Sequence, residues 1–196
     1  MEKFYYERPS LDRKDEIKEY LDEFIKYGSE INGSGGMDQI YEGLTIEEAI
    51  ERCNKKEDEE YSKSIGKCPG KTFLLIREED NKIIGTLNLR WNLNEELKMY
   101  AGHIGYGIRP TERRKGYNKI NLYLGLLAAR KIGLDKVMLS CDVNNPGSEK
   151  TIQALGGVLD RCQMYKDNKT LLHIYWINVD DSIKKNEDTY KEYIRK

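Results

Sequence analysis

Apolar and polar positions along the chain alternate between helical and strand periods. Lys3 to Glu7 reads as a short strand, after which Ile17, Tyr20, Leu21, Phe24 and Ile25 recur at i, i+3, i+4, i+7 and i+8, one face of an amphipathic helix. Asp12 stands where a cap would start that helix and Gly28 where it would stop. Residues 31–36 hold three glycines, too many for regular structure. Thr45 and Glu48 have capping-box spacing, and Ile46, Ala49, Ile50 and Cys53 share the face of the helix they would open. Thr72 to Arg77 and Ile83 to Trp91 flank a polar turn and read as an antiparallel hairpin, with Leu87, Leu89 and Trp91 on one face and Thr86, Asn88 and Arg90 on the other. His103 to Ile108 is a further strand, whose alternate glycines suggest a bulge or a ligand against the backbone. Ile120, Tyr123, Leu124, Leu127 and Ala128 repeat as a second helical face, ended by Gly133. There follow a strand from Lys136 to Val143, a turn from Asn144 to Gly147, a short helix from Ser148 to Leu155, and a hairpin of Val158 to Met164 with Leu171 to Val179. From Asp180 onward the chain is a polar tail, with a helix as one option.

Composition narrows the class. The 196 residues carry 33 Lys+Arg against 34 Asp+Glu, a net charge of −1, which argues against a general nucleic-acid binder. The length suits one domain, residues 1–196, able to bury roughly 70% of its extended surface. Four scattered cysteines and two histidines offer neither a disulfide framework nor a structural zinc site, so no metal is expected. No stretch approaches the roughly 20 apolar residues of a membrane span, and the N-terminus lacks an apolar leader. A soluble, cytoplasmic protein is expected.

Two local charge imbalances hide inside the near-zero total. Residues 42–62 hold eight acids and three bases. The simpler reading is a solvated face; the functional one is an attractor for a cationic substrate. Residues 109–119 hold five bases and one acid, with Gly116 immediately before the second long helix. A strand, a basic glycine-containing turn and a helix N-terminus make an anion site, because free amides and the helix dipole point to one place. Neither a Walker loop nor a GxGxxG turn is present, which disfavours a phosphate-loop nucleotide hydrolase.

Arg113, Arg114, Lys115, Gly116, Tyr117 and Asn118 resemble the (Gln/Arg)-x-x-Gly-x-(Gly/Ala) signature of the Gcn5-related N-acetyltransferases (GNAT), where this loop binds the pyrophosphate of acetyl-CoA. The preceding strand, the following helix and the Asn145 turn stand in the family's order, so the resemblance covers about residues 3 to 179. The Gly102 to Pro110 stretch, the 31–36 loop and the Thr151 to Gly157 segment look like a group of bacterial predicted acetyltransferases. The resemblance implies an α+β fold: a mixed, largely antiparallel central sheet of about seven strands with helices on both faces. It also implies acetyl-CoA as co-substrate, an amine acceptor (a small primary amine or an amino terminus), no nucleic acid or membrane as partner, and a homodimer as an option.

The resemblance places the phosphates on Arg113 to Asn118 and the pantetheine arm near Ile108, Asn145 and Ser148. Capping of the short helix is the simpler reading for Asn145 and Ser148. The 31–70 region falls on the acceptor side. Two departures stand out: Asn118 replaces the family's Gly or Ala, and Ile152 occupies the place of a tyrosine that many members use to protonate the leaving thiolate. Direct attack is implied, with a strand amide between Gly105 and Ile108 stabilising the oxyanion. His103 becomes the candidate base, since relatives carry a glutamate there and histidine titrates near neutrality. Tyr106 becomes the candidate acid. The simpler readings are a satisfied strand histidine and an aromatic core filler. With the usual acid missing, a non-catalytic acyl-CoA-binding or regulatory module is the alternative.

Overall fold

A computed structural model describes residues 2–195; Met1 and Lys196, the ends of the expected domain and tail, lie outside the described residues. The seven strands expected from the sequence form, but in two sheets rather than one. Strands β1 (Phe4–Glu7), β2 (Gly70–Arg77), β3 (Lys82–Arg90) and β4 (Ile104–Ile108) pair antiparallel in that order. Strands β5 (Lys136–Asp142), β6 (Val158–Met164) and β7 (Leu171–Asn178) form a second antiparallel sheet in the order β5-β7-β6.

One face of the first sheet is covered by α1 (Lys14–Lys26) and α2 (Ile46–Lys55). Ile17, Tyr20, Leu21 and Phe24 pack there on Leu74, Ile76 and Ile83, each buried side chain contributing roughly 2 kcal/mol. Ile25, counted in the apolar face from its spacing, is 55% exposed. Asp12 does not cap α1; a single 3-10 turn from Leu11 to Arg13 leads into it. The capping box at Thr45 does form and starts α2. Two short polar helices, α3 (Glu59–Ser64) and α4 (Glu95–Tyr100), escape the periodicity because neither has two turns of apolar face.

The opposite face carries α5 (Tyr117–Lys131), whose Ile120, Leu122, Tyr123 and Leu126 join residues of both sheets in one core. The polar tail turns out to be α7 (Val179–Tyr190), with Val179, Ile183, Asn186 and Tyr190 buried at i, i+4, i+7 and i+11. It packs on α5 with the Tyr123 and Tyr190 rings 5.2 Å apart, and the Arg195 amide donates back to Phe4 at 3.0 Å. Among the described residues no helix is long and apolar enough to cross a membrane.

Candidate active site

The gap between the two sheets follows from hydrogen-bond parity. The Arg90 amide donates to His103 O at 2.7 Å and the Arg109 amide to Ile84 O at 2.9 Å. In an antiparallel pair these directions alternate, so the His103 carbonyl, Gly105, Gly107 and the Arg109 amide turn toward β3, and the backbone groups of Ile104, Tyr106 and Ile108 turn away. No ladder joins β4 to β5. They meet only near Met138, where its carbonyl accepts the His103 amide at 2.8 Å and its own amide donates to His103 Nδ1 at 2.9 Å, beside a bridge from Gly102 to Leu139. Beyond that point, the outward amides of Tyr106 and Ile108 face an open seam.

The glycines of β4 have a reason other than the expected bulge or ligand. Pairing with β3 runs in unbroken register, and the 31–36 loop lies flat against the strand. A Cβ on Gly33 would sit 2.5 Å from Tyr106 Cα, and one on Gly107 would sit 2.6 Å from Asn32 O. Only glycine allows two backbones this close. The 31–36 loop is thereby fixed against β4.

At its far end β4 leads into the basic loop, whose charges are largely internal. Arg109 is buried, with ion pairs to Glu19 at 2.8 Å and Glu23 at 3.3 Å. Arg113 folds the loop back, its Nε donating to Ile108 O and Nη2 to Ser29 Oγ. Lys115 pairs with Glu112 at 2.8 Å, and Tyr117 turns inward onto Phe4 with its hydroxyl on Glu2. The expected local charge of +4 is partly spent inside the fold; among the described residues Arg113, Arg114 and Lys119 are the loop cations without an ion pair, and Arg113 is held by its hydrogen bonds. What remains is backbone. Arg114 and Gly116 both have positive φ, 66° and 86°, and Gly116 is the N-cap of α5 with open space where a Cβ would be. Successive turns of this kind, aimed by a helix N-terminus, form an anion-binding concavity.

Glu112 holds this loop in place. Burial alone would raise its pKa, but Lys115 and Arg77 outweigh burial and hold the carboxyl down at about 2. Its folded pKa lies below the ordinary 4.5, so its contribution is complete above about pH 4.5 and is lost as pH falls toward 2. Glu112→Gln is expected to cost about 3 kcal/mol at pH 7, the scale of a broken buried pair. Thermal melts should show wild type and variant converging between pH 4.5 and 2.

At the other end of the seam stand the residues singled out for proton transfer. His103 and Tyr106 have opposite surroundings. The His103 ring accepts the Met138 amide at Nδ1, and burial, helped by the charge of Arg90, lowers its pKa to about 4. A ring neutral at Nδ1 carries its proton on Nε2 and has no free lone pair for an incoming proton. In this arrangement the histidine links the start of β4 to β5, with Nδ1 engaged by the Met138 amide. The Tyr106 hydroxyl lies 2.9 Å from Ser148 Oγ, and burial raises its pKa, so it is a protonated phenol. Ser148 sits in the first turn of α6 (Pro146–Ala154), capped by Asn145 Oδ1, which accepts the Ser148 amide at 3.0 Å. Ile152, four residues on and so on the same helix face, is fully buried against Gly157. Asn118 Oδ1 is buried without a hydrogen-bond partner among the described residues. Burial pushes the Cys141 thiol up to about 11, away from nucleophilic use.

Residues 37–156 match the family described as the acetyltransferase (GNAT) family. The chain belongs to this family. No curated protein sequence matches it. Among solved structures, the GNAT chain is similar to RimL, a ribosomal L7/L12 alpha-N-protein acetyltransferase in complex with coenzyme A, at TM-score 0.63 and 15% identity over 91% of this chain and 95% of that one. A spermidine N-acetyltransferase SpeG chimera from Vibrio cholerae and hSSAT gives 0.62 and 13%, over 93% and 99%. The microcin C7 self immunity acetyltransferase MccE, in complex with acetyl-CoA and AMP, gives 0.62 and 14%, over 90% and 92%. These likenesses establish the fold, α+β with antiparallel sheets between helices.

In this GNAT chain at least four of the eight acids of the 42–62 segment are engaged within the fold. Glu57 pairs with Arg8 and Lys71, Glu47 with Lys14, Glu51 with Lys55, and Glu48 closes the cap at Thr45. Sequence reasoning passed over Glu112 as a structural residue. Its signal was present: a lone acid inside a basic run, three residues before Lys115.

Proposed function

We propose that this protein transfers the acetyl group of acetyl-CoA to a primary amine by direct attack. The observation that carries the proposal is one continuous backbone track, from the left-handed Gly116 turn at the start of α5 to the outward amides of Ile108 and Tyr106 along the open edge of β4. Such a track suits an anion at one end and an extended, amide-bearing arm along the rest. The amides of Gly116, Tyr117 and Asn118, with Arg114, take the pyrophosphate. Ile108 pairs with the pantetheine, and an outward β4 amide faces the developing oxyanion. Arg113 and Lys115 shape the loop, and Asn145 aims the α6 N-terminus. The spermidine and protein amino-terminal substrates named for two structural neighbours support an amine acceptor.

In the reaction the amine nitrogen bonds to the thioester carbonyl carbon, the carbon–sulfur bond breaks, and the thiolate takes a proton. Tyr106, relayed or steadied by Ser148, is the donor in place of the residue at Ile152. The ammonium proton leaves to solvent. His103 is a positioning residue, so His103→Asn should leave the acid limb of the pH–rate profile where it is. Its folded pKa lies below the ordinary 6.5, so the stability it confers is present above about pH 6.5 and fades as pH falls toward 4. A shift of the acid limb in that variant restores His103 as the base.

The test of the whole reading is thioester consumption against a mixed primary-amine library. Steady, amine-dependent release of coenzyme A is expected. Tight binding of acetyl-CoA with no turnover on any amine supports the non-catalytic module instead, the reading that Ile152 favours.

A further inference from the structure

Arg90, partly buried, closes β3 and stands apart from Arg13, Arg77 and Arg109. Arg13, Arg77 and Arg109 each meet a carboxylate at 2.7–2.8 Å. Arg90 meets none among the described residues, and its Nε is buried without a partner. The chain nevertheless makes room for it. Its strand neighbour on β2 is Gly70, and a Cβ there would lie 3.1 Å from Arg90 Cγ. On β4, a Cβ on Gly105 would lie 3.5 Å from Arg90 Nη2 and 3.7 Å from the Gly33 amide nitrogen. The guanidinium therefore lies beside the backbone immediately before Tyr106, on the face covered by the 31–36 loop and close to Gly33. Burial lowers its pKa to about 10, which still leaves it charged at neutral pH. A partly buried cation with a buried, unpartnered Nε and no counter-ion is costly, and a planar guanidinium matches an oxyanion in two parallel hydrogen bonds.

We propose that Arg90 is an acceptor-binding residue that receives an oxyanion, so that the amine acetylated here also carries a carboxylate or phosphate group. This rests on the acetyl-transfer reading for the role of the bound amine, though not for the anion site itself. It also differs from the functional reading of residues 42–62 as an attractor for a cationic substrate.

The test uses the coenzyme A-loaded protein and four probes: β-alanine, β-alaninamide, 3-aminopropyl phosphate and putrescine. Calorimetric titration of wild type should show at least one of the two anionic amines binding roughly 10- to 100-fold tighter than the amide or putrescine. Carboxylate and phosphate are separated by which of the two leads. Arg90→Gln should bring the anionic amines down to the level of the amide, and Arg90→Lys should recover part of the difference. Equal binding by wild type and Arg90→Gln overturns the proposal, as does a wild type that prefers putrescine or the amide. If Arg90→Gln does not fold, the ranking of the four probes on wild type decides alone. Selective, Arg90-dependent binding of an anionic amine without acetylation sinks the transferase reading and leaves the anion site standing.

Discussion

Gly116→Trp is expected to reduce acetyl-CoA affinity by about 100-fold or more, the scale of losing two hydrogen bonds to a charged phosphate. Two effects combine. Gly116 has φ of 86°, a region that costs an L-residue about 1–2 kcal/mol, so the turn relaxes and its amides lose their common aim. The indole also fills the open space in front of α5, where the pyrophosphate would sit. Because that space faces solvent, folding should suffer only the backbone cost, and the melting temperature should fall by a few degrees. Isothermal calorimetry with acetyl-CoA checks the result, and unchanged affinity would remove the loop from the donor site. Arg114→Glu should act less, about fivefold at low salt, and fade as salt rises, since Arg114 is exposed and its charge is screened.

Tyr106→Phe is expected to lower kcat by about 100-fold while KM for acetyl-CoA changes little, the signature of a proton given only in the transition state. The phenol is suited to this because its surroundings keep it protonated and Ser148 fixes its hydroxyl. The ring would survive the change as a packing element, so a folded variant with lost turnover separates the acid from the core filler. Ser148→Ala should give a smaller loss of about tenfold, since it removes only the group that steadies the hydroxyl. Normal kcat in Tyr106→Phe would return the proton to solvent and fit the residue into the core alone.

The parts of the fold that were legible are those where local pattern and burial agree. The face of α1, the existence of α5, the hairpin of β2 and β3, and the cap at Thr45 are dictated within a few residues, by repeats of 3.6 and 2 and by a side chain that reaches one turn ahead, whereas α5, lying against both sheets, also buries Leu122, Leu126 and Ala129 outside its expected face. The α7 helix had the same periodicity but read as a tail, because its exposed face is densely charged and its partner, α5, lies some 60 residues earlier. The glycines of β4 suggested a bulge or a ligand, and the 31–36 loop of the chain itself lies there instead. Whether that was a ligand or the chain's own loop depended on a contact between positions 33 and 106, which no local pattern encodes.

The candidate site divides in the same way. The sequence alone determines a strand, a basic turn, Gly116 and a helix start, hence an anion site of the family's kind, because these are properties of consecutive residues. Only the tertiary structure decides which charges are spent. Arg109 meets Glu19 and Lys71 meets Glu57, while Arg90, no different from them in the sequence, is left unpaired. It decides the protonation of His103 as well, through burial and the charge of Arg90, while an amide 35 residues away occupies Nδ1. Charge and proton affinity depend on what surrounds a group in space, and folding, rather than neighbourhood along the chain, supplies those surroundings.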